Sequence, residues 1–166
     1  NQRNSYVYGE GPDRSGIASM KKLIEIVARM LVLGYLPLSF DDHGIGQCIA
    51  PQNVTVRGGI CDMGSMYPIS KVKNDKDFYQ LLSSLSVILT RTTQELLLEP
   101  LPNLVYEFDD PSTSSFLMAN TISRRLVIAY EAEAKRINSK LDPRILKFFK
   151  SDNDAHFTEV LERIFN

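Results

Sequence analysis

The chain has little cysteine, almost no net charge and no long apolar run, and each shortage removes a class of protein. Two cysteines, Cys48 and Cys61, cannot build a disulfide scaffold. A reduced pair is expected, which favours a cytoplasmic setting. The formal net charge is -1 over 166 residues, so no basic excess points to nucleic acid. No cluster of Lys and Arg is denser than Arg124-Arg125 or Lys147 with Lys150, and these read as solvated helix faces. The most apolar stretch, residues 30–38 (MLVLGYLPL), is broken by Gly34 and Pro37. It falls short of the roughly 18 residues that a membrane span requires. No membrane partner and no signal peptide are expected. Internal repeats and low-complexity segments are absent. So is a glycine-rich phosphate loop followed by a strand Lys, since Gly9-Glu10-Gly11 is too sparse to serve as one.

What remains is an ordinary globular composition, 43% hydrophobic and 23% charged, long enough for one domain with its own core. That domain is expected over 1–166, with residues 1–13 as a tail or loop. The chain starts at Asn and ends inside an amphipathic stretch, so it is also read as a piece of a larger protein. Apolar residues at three- and four-residue steps predict helices. The first runs from Ser15 to about Leu33, with Ile17, Met20, Ile24, Val27, Ala28 and Leu31 on one stripe and Gly34 closing it. After a Lys-rich linker, Lys71 to Lys76, a second runs from Asp77 to Leu98 on Phe78, Leu81, Leu82, Leu85, Ile88, Leu89, Thr92 and Leu96. Pro100 and Pro102 end it. A third runs from Ser114 or Ser115 to about Asn138, with Glu131 and Lys135 at a favourable four-residue spacing. Asp142-Pro143 opens a short helix through Phe149, and a last helix carries Phe157, Val160, Leu161, Ile164 and Phe165.

Special residues crowd into one stretch, residues 41–66 (DDHGIGQCIAPQNVTVRGGICDMGSM). It holds both cysteines, one of the two histidines and more than half of the nine glycines. Val54-Thr55-Val56 and Ile60-Cys61-Asp62-Met63 flank Arg57-Gly58-Gly59, which is a hairpin signal. Such a hairpin brings Asn53, at its entrance, to the same end as Asp62. A carboxamide and a carboxylate side by side supply oxygen ligands for a hard cation such as Mg²⁺. Gly64 leaves room for a ligand to approach the backbone. The competing reading is that Asn53 and Asp62 satisfy turn backbone, as these residue types often do. A zinc site from His43, Cys48, Cys61 and Asp62 has none of the spacings of a known finger.

The run from Ala28 to Ser65 resembles the selenoprotein O family, whose members have a protein kinase-like fold. The resemblance rests on Ala28-Arg29 in a helix, Gly34-Tyr35, His43-Gly44, Asn53, Gly58-Gly59 and Ile60-Cys61-Asp62-Met63-Gly64. It covers about forty residues and its motifs are short. The family is implied to transfer AMP from ATP to protein hydroxyls, which would make Asn53 and Asp62 the metal ligands. ATP, Mg²⁺ and a protein substrate are the corresponding expectations. The chain departs from the family at Gln52, where the family carries an Asp as the presumed base. Asp41 or Asp42 is the candidate replacement, and His43 would orient the loop. A kinase-type N-terminal lobe is expected to lie elsewhere.

The expected fold class is α+β, mainly α-helical with one small β-hairpin, and like a kinase C-lobe. Three functions compete. The first is a nucleotide- and Mg²⁺-dependent transferase of the protein kinase-like class, or a part of one. The second is a non-catalytic helical protein-interaction domain, supported by Gln52 and the absent phosphate loop. The third is a metal-independent hydrolase or toxin-like enzyme using His43 with Asp41 or Asp42.

Overall fold

The computed structural model describes residues 15–41, 44–47, 49, 53–55, 59–60, 66–98 and 111–150; within these, the side chains of 15–17, 39–41, 44–47, 94–95, 97–98 and 111–119 are not described. The described fold is α+β and mainly helical. Four helices carry it: α1 (Ser15–Val32), α2 (Asp75–Leu98), α3 (Pro111–Arg136) and α4 (Pro143–Lys150). Four short strands lie between α1 and α2: β1 (Tyr35–Leu36), β2 (Leu38–Asp41), β3 (Gly44–Gln47) and β4 (Tyr67–Pro68).

The helices form where the apolar period predicts them. On α1, Met20, Ile24, Val27, Ala28 and Leu31 are buried, while Lys21, Lys22, Glu25 and Arg29 are exposed. The whole α2 stripe is buried, from Phe78 through Leu96. α1 packs chiefly against α3, and α2 packs against both. Each fully buried Leu in this core, such as Leu23, Leu82 or Leu85, contributes about 2 kcal/mol by leaving water.

The ends follow capping chemistry. α1 stops at Gly34, which sits at φ +88°, a conformation that side-chain-bearing residues avoid. α2 starts two residues before the expected Asp77. Asn74 caps it by accepting the Asp77 N–H at 2.9 Å, and Asp75 and Asp77 lie in its first turn. That cap and a 3-10 turn at Ile69–Lys71 take up most of the expected Lys-rich linker. α3 begins at Pro111, earlier than the expected serines, because Pro suits the first helical position. It ends on Asn138 at φ 54°, with Ser139 N–H donating to Ala134 O at 2.8 Å. α4 starts at Pro143 after Asp142, whose carboxylate accepts the Arg144 N–H at 2.9 Å.

Two expectations need adjustment. Besides the expected reversal, seen as the antiparallel bridge Val54↔Ile60, the described residues form two two-stranded antiparallel sheets, β1–β4 and β2–β3. The β2–β3 pair was hidden by glycine, since Gly44-Ile45-Gly46-Gln47 has weak strand propensity. Pairing with Leu38–Asp41 overrides it, in the register Asp41↔Gly44 through Leu38↔Gln47. Glu131 does not take Lys135 as its ion-pair partner; it reaches Lys150 on α4 at 2.8 Å. In α3 the helical pair is instead Glu133–Arg136 at 2.6 Å, with Arg29 of α1 3.7 Å from Glu133. Hydrogen bonding and the positive charges of these arginines hold the Glu133 carboxyl below its ordinary range.

α4 is fastened by polar and aromatic contacts. The Arg144 guanidinium lies 4.0 Å from the Phe78 ring centroid and bonds Asp142 and Asp75. Tyr79 stacks on Phe148 at 6.3 Å, and Phe148 meets Phe149 edge-on at 5.0 Å. The Tyr130 hydroxyl accepts the Asp142 N–H at 2.8 Å, and burial pushes its phenol above the ordinary range. The last helix expected after residue 150, the loop acids Glu107, Asp109 and Asp110, and the N-terminal tail lie outside the described residues.

Candidate functional site

All candidate residues lie on one excursion of the chain between α1 and α2. Its neck is a two-stranded ladder, Tyr35↔Pro68 and Leu36↔Tyr67. Ile69 N–H adds a bond to Gly34 O at 2.8 Å just outside it. The ladder was not legible in sequence, because two residues per strand leave no period to read. It joins the C-terminal end of α1 to the chain entering α2, and the candidate residues fall between its two strands in sequence.

Within the excursion, buried apolar residues act as feet. Leu36, Leu38 and Ile49 are fully buried, and Val54 is 3% exposed. All four belong to the same core as α1 and α2. Ile49 is also held through its backbone. The Thr92 hydroxyl of α2 donates to Ile49 O at 2.7 Å in a buried bond across 43 positions of sequence. A backbone carbonyl leaves no trace in a sequence pattern, so this anchor was missed.

The reversal after Asn53 is built from three interactions. Val54 and Ile60 pair antiparallel. Thr55 N–H donates to Gly59 O at 2.8 Å. Gly59 N–H donates to Thr55 Oγ1 at 3.0 Å. A Cβ on Gly59 would stand 3.3 Å from that same Oγ1, so the Thr55 side chain would have to give by a few tenths of an ångström to admit one. The turn around residues 54–60 thus agrees with the hairpin expected there. Asn53, partly buried, immediately precedes the bridge.

The other candidates fall as follows. Asp41 is the last residue of β2, with its backbone paired to Gly44. Asp42 and His43, which join β2 to β3, lie outside the described residues, and so do Cys48, Gln52, Cys61, Asp62 and Gly64. The zinc set His43, Cys48, Cys61 and Asp62 therefore lies outside them too. Among the described residues, no three His, Cys, Asp or Glu side chains gather closely enough to hold a metal ion. No described helix is long and apolar enough to cross a membrane.

Beside β4 an open cleft of about 220 Å³ is lined by Tyr67, Lys71, Val72, Lys73, Asp77 and Leu81. It shares no residue with the candidate set. No protein-family model, no curated protein and no solved structure matches this chain.

Proposed function

We propose that the chain is a nucleotide- and Mg²⁺-dependent transferase of the protein kinase-like class, or the C-lobe-like part of one, acting on a protein substrate. One observation carries the reading: the chain reverses at 54–60, so that Ile60, two residues before Asp62, lies beside Val54, one residue after Asn53. A reversal of this kind would suit a kinase-like site, in which an Asn and an Asp hold the metals that bridge nucleotide phosphates. Asn53 offers a carboxamide oxygen, a hard donor of the kind Mg²⁺ accepts. Asn53 and Asp62 would hold the cation, Gly64 would admit the phosphates, and Asp41 or Asp42 would take the role of base that Gln52 cannot fill. The resemblance of residues 28–65 to the selenoprotein O family supports ATP as the nucleotide and AMP transfer as the reaction. The cation, when bound, would neutralise charge on the phosphate oxygens.

The test is calorimetric titration with ATP, with and without Mg²⁺. The wild type should bind only with Mg²⁺, and Asn53→Ala and Asp62→Ala should each weaken binding on the order of tenfold or more, the effect of about 1.4 kcal/mol. Mg²⁺-independent binding, or binding indifferent to both substitutions, defeats the reading.

A second reading, a non-catalytic helical interaction domain, has its own observation. Leu33, Val87 and Ile128 are 65%, 66% and 58% exposed on α1's end, α2 and α3. A folded wild type that binds no nucleotide favours this second reading. Binding without any cation requirement, together with hydrolysis abolished by His43→Ala, favours the hydrolase alternative.

A further inference from the structure

The excursion is fixed at its neck by β1 and β4, but its inner part needs a separate anchor. Thr92 supplies one. Its side chain is fully buried, Ile49 is fully buried, and the 2.7 Å separation is the ordinary length of a good O–H···O bond. Ile49 stands four residues before Asn53, and Val54, just after Asn53, is also in the core. The donor comes from α2, a 24-residue helix packed against both α1 and α3. A frame of this kind holds a carbonyl far more rigidly than a loop could.

The neighbouring threonines sharpen the point. Thr90 and Thr93 sit on the same helix, 7% and 0% exposed, and their hydroxyls find no hydrogen-bond partner among the described residues. Of these three buried hydroxyls, that of Thr92 alone bonds Ile49 among the described residues.

We propose that Thr92 is a positioning residue, whose hydroxyl sets the placement of Ile49 and, four residues on, of the proposed ligand Asn53. The proposal rests on the transferase reading for its consequence in binding, but not for the anchoring itself. Removing the hydroxyl leaves the Ile49 carbonyl buried without its donor, a cost borne locally.

Four proteins test it: wild type, Thr92→Val, Thr92→Ser and Thr93→Val. Two readouts are taken from each. Amide hydrogen exchange is compared between residues 49–55 and residues 23–28 of α1, and Mg²⁺-ATP affinity is measured by calorimetry. Thr92→Val should speed exchange at 49–55 about tenfold relative to the α1 amides and weaken Mg²⁺-ATP by a similar factor, the ordinary consequence of a lost buried hydrogen bond. Thr92→Ser keeps the donor and should keep both properties. Thr93→Val removes a buried hydroxyl with no partner among the described residues and should alter neither.

Equal acceleration at 49–55 and in α1 would mean that Thr92 only adds global stability, and would overturn the proposal. Faster local exchange with unchanged affinity would also overturn it, since the anchor would not reach the ligand. If the wild type binds no Mg²⁺-ATP, the transferase reading fails, and the exchange comparison alone decides whether Thr92 sets the segment.

Discussion

Replacing Arg144 by Met tests the contacts that fasten α4 to the helical core. Met keeps most of the aliphatic length and removes the charge and the planar fork. Three interactions are lost. The guanidinium no longer lies 4.0 Å from the Phe78 ring. Phe78 is fully buried and the Arg144 side chain is 30% exposed, so a cation–π energy of about 1 kcal/mol is reasonable. The two side-chain bonds to Asp142, at 2.9 and 3.1 Å, disappear as well. Both partners are mostly shielded, and their pairing contributes about 1 kcal/mol after screening. The bond to Asp75 adds little, because that side chain is 71% exposed. The helix cap survives, since Asp142 accepts the backbone N–H of residue 144 whatever its side chain. The sum is about 2 kcal/mol, which lowers Tm by roughly 4–8 °C in a chain of this size. Thermal unfolding followed by circular dichroism measures it. Phe78→Leu in the Arg144→Met background should cost less than in the wild type, because the ring has lost its cation. An unchanged Tm, or an equal loss from Asp75→Asn, would refute the assignment of the energy to Phe78 and Asp142.

Two further perturbations bear on the frame. Gly34→Ala meets no steric neighbour, as nothing lies within 4 Å of the added Cβ. Its cost is therefore backbone strain at φ +88°, about 1–2 kcal/mol, seen as a lower denaturant midpoint with no change of slope; a neutral result would mean that the turn relaxes to negative φ. In acid, burial pushes the Asp142 carboxyl up, but the Arg144 side-chain and backbone hydrogen bonds and charge together hold it below its ordinary value. A lowered folded-state pKa gives stability that is present above the unfolded value, about 3.9, and lost as the pH falls through the folded one. The stability gap between wild type and Asp142→Asn should therefore be constant from pH 7 to about 5 and shrink below about 4, which urea midpoints at each pH will show. A gap that widens in acid would reverse the sign of the argument.

The helices were legible because their information is redundant. On α2, eight apolar-stripe residues repeat one message, and no single side chain decides the outcome. Asp142-Pro143 added punctuation at the start of α4, whereas the cap at Asn74 and the start at Pro111 place α2 and α3 a few residues earlier than expected. The reversal at 54–60 was legible for a different reason, since glycine after a β-branched run has few other uses. Tyr35 to Phe40 was legible as a strand or buried loop, but how the strands pair was not. β1 and β4 pair only two residues each, and they lie more than thirty positions apart. β3 carries two glycines and forms only because β2 lies against it. Ion pairing was half legible: spacing offered Glu131–Lys135, but α4 brings Lys150 to Glu131, and a contact between elements has no signature within either. The candidate site is a list of residue types in the sequence, of which Asn53 and the backbone of Asp41 lie among the described residues. Its anchors, Ile49 O to Thr92 and Gly34 O to Ile69, run through backbone carbonyls that every residue possesses.

These observations divide α2 into two working halves. Near its start, Asp75 and Phe78 receive Arg144 and fasten α4. Near its end, Thr92 holds the carbonyl of Ile49. Phe78 and Thr92 are fourteen residues apart, or about 21 Å along a helix rising 1.5 Å per residue. Sites separated by that distance and sharing no partner act additively on stability, within about 0.5 kcal/mol. Arg144→Met and Thr92→Val together should therefore lower stability by the sum of their separate effects. Their effects on the candidate site should not combine. Arg144→Met weakens the attachment of α4 but leaves the excursion on its neck and its anchor, so exchange at 49–55 should rise only as far as global stability falls. Thr92→Val should raise it further. A helix that is merely a core element would make both substitutions look alike in that measurement. A helix that also positions a ligand separates them, and the separation does not depend on knowing which ligand is bound.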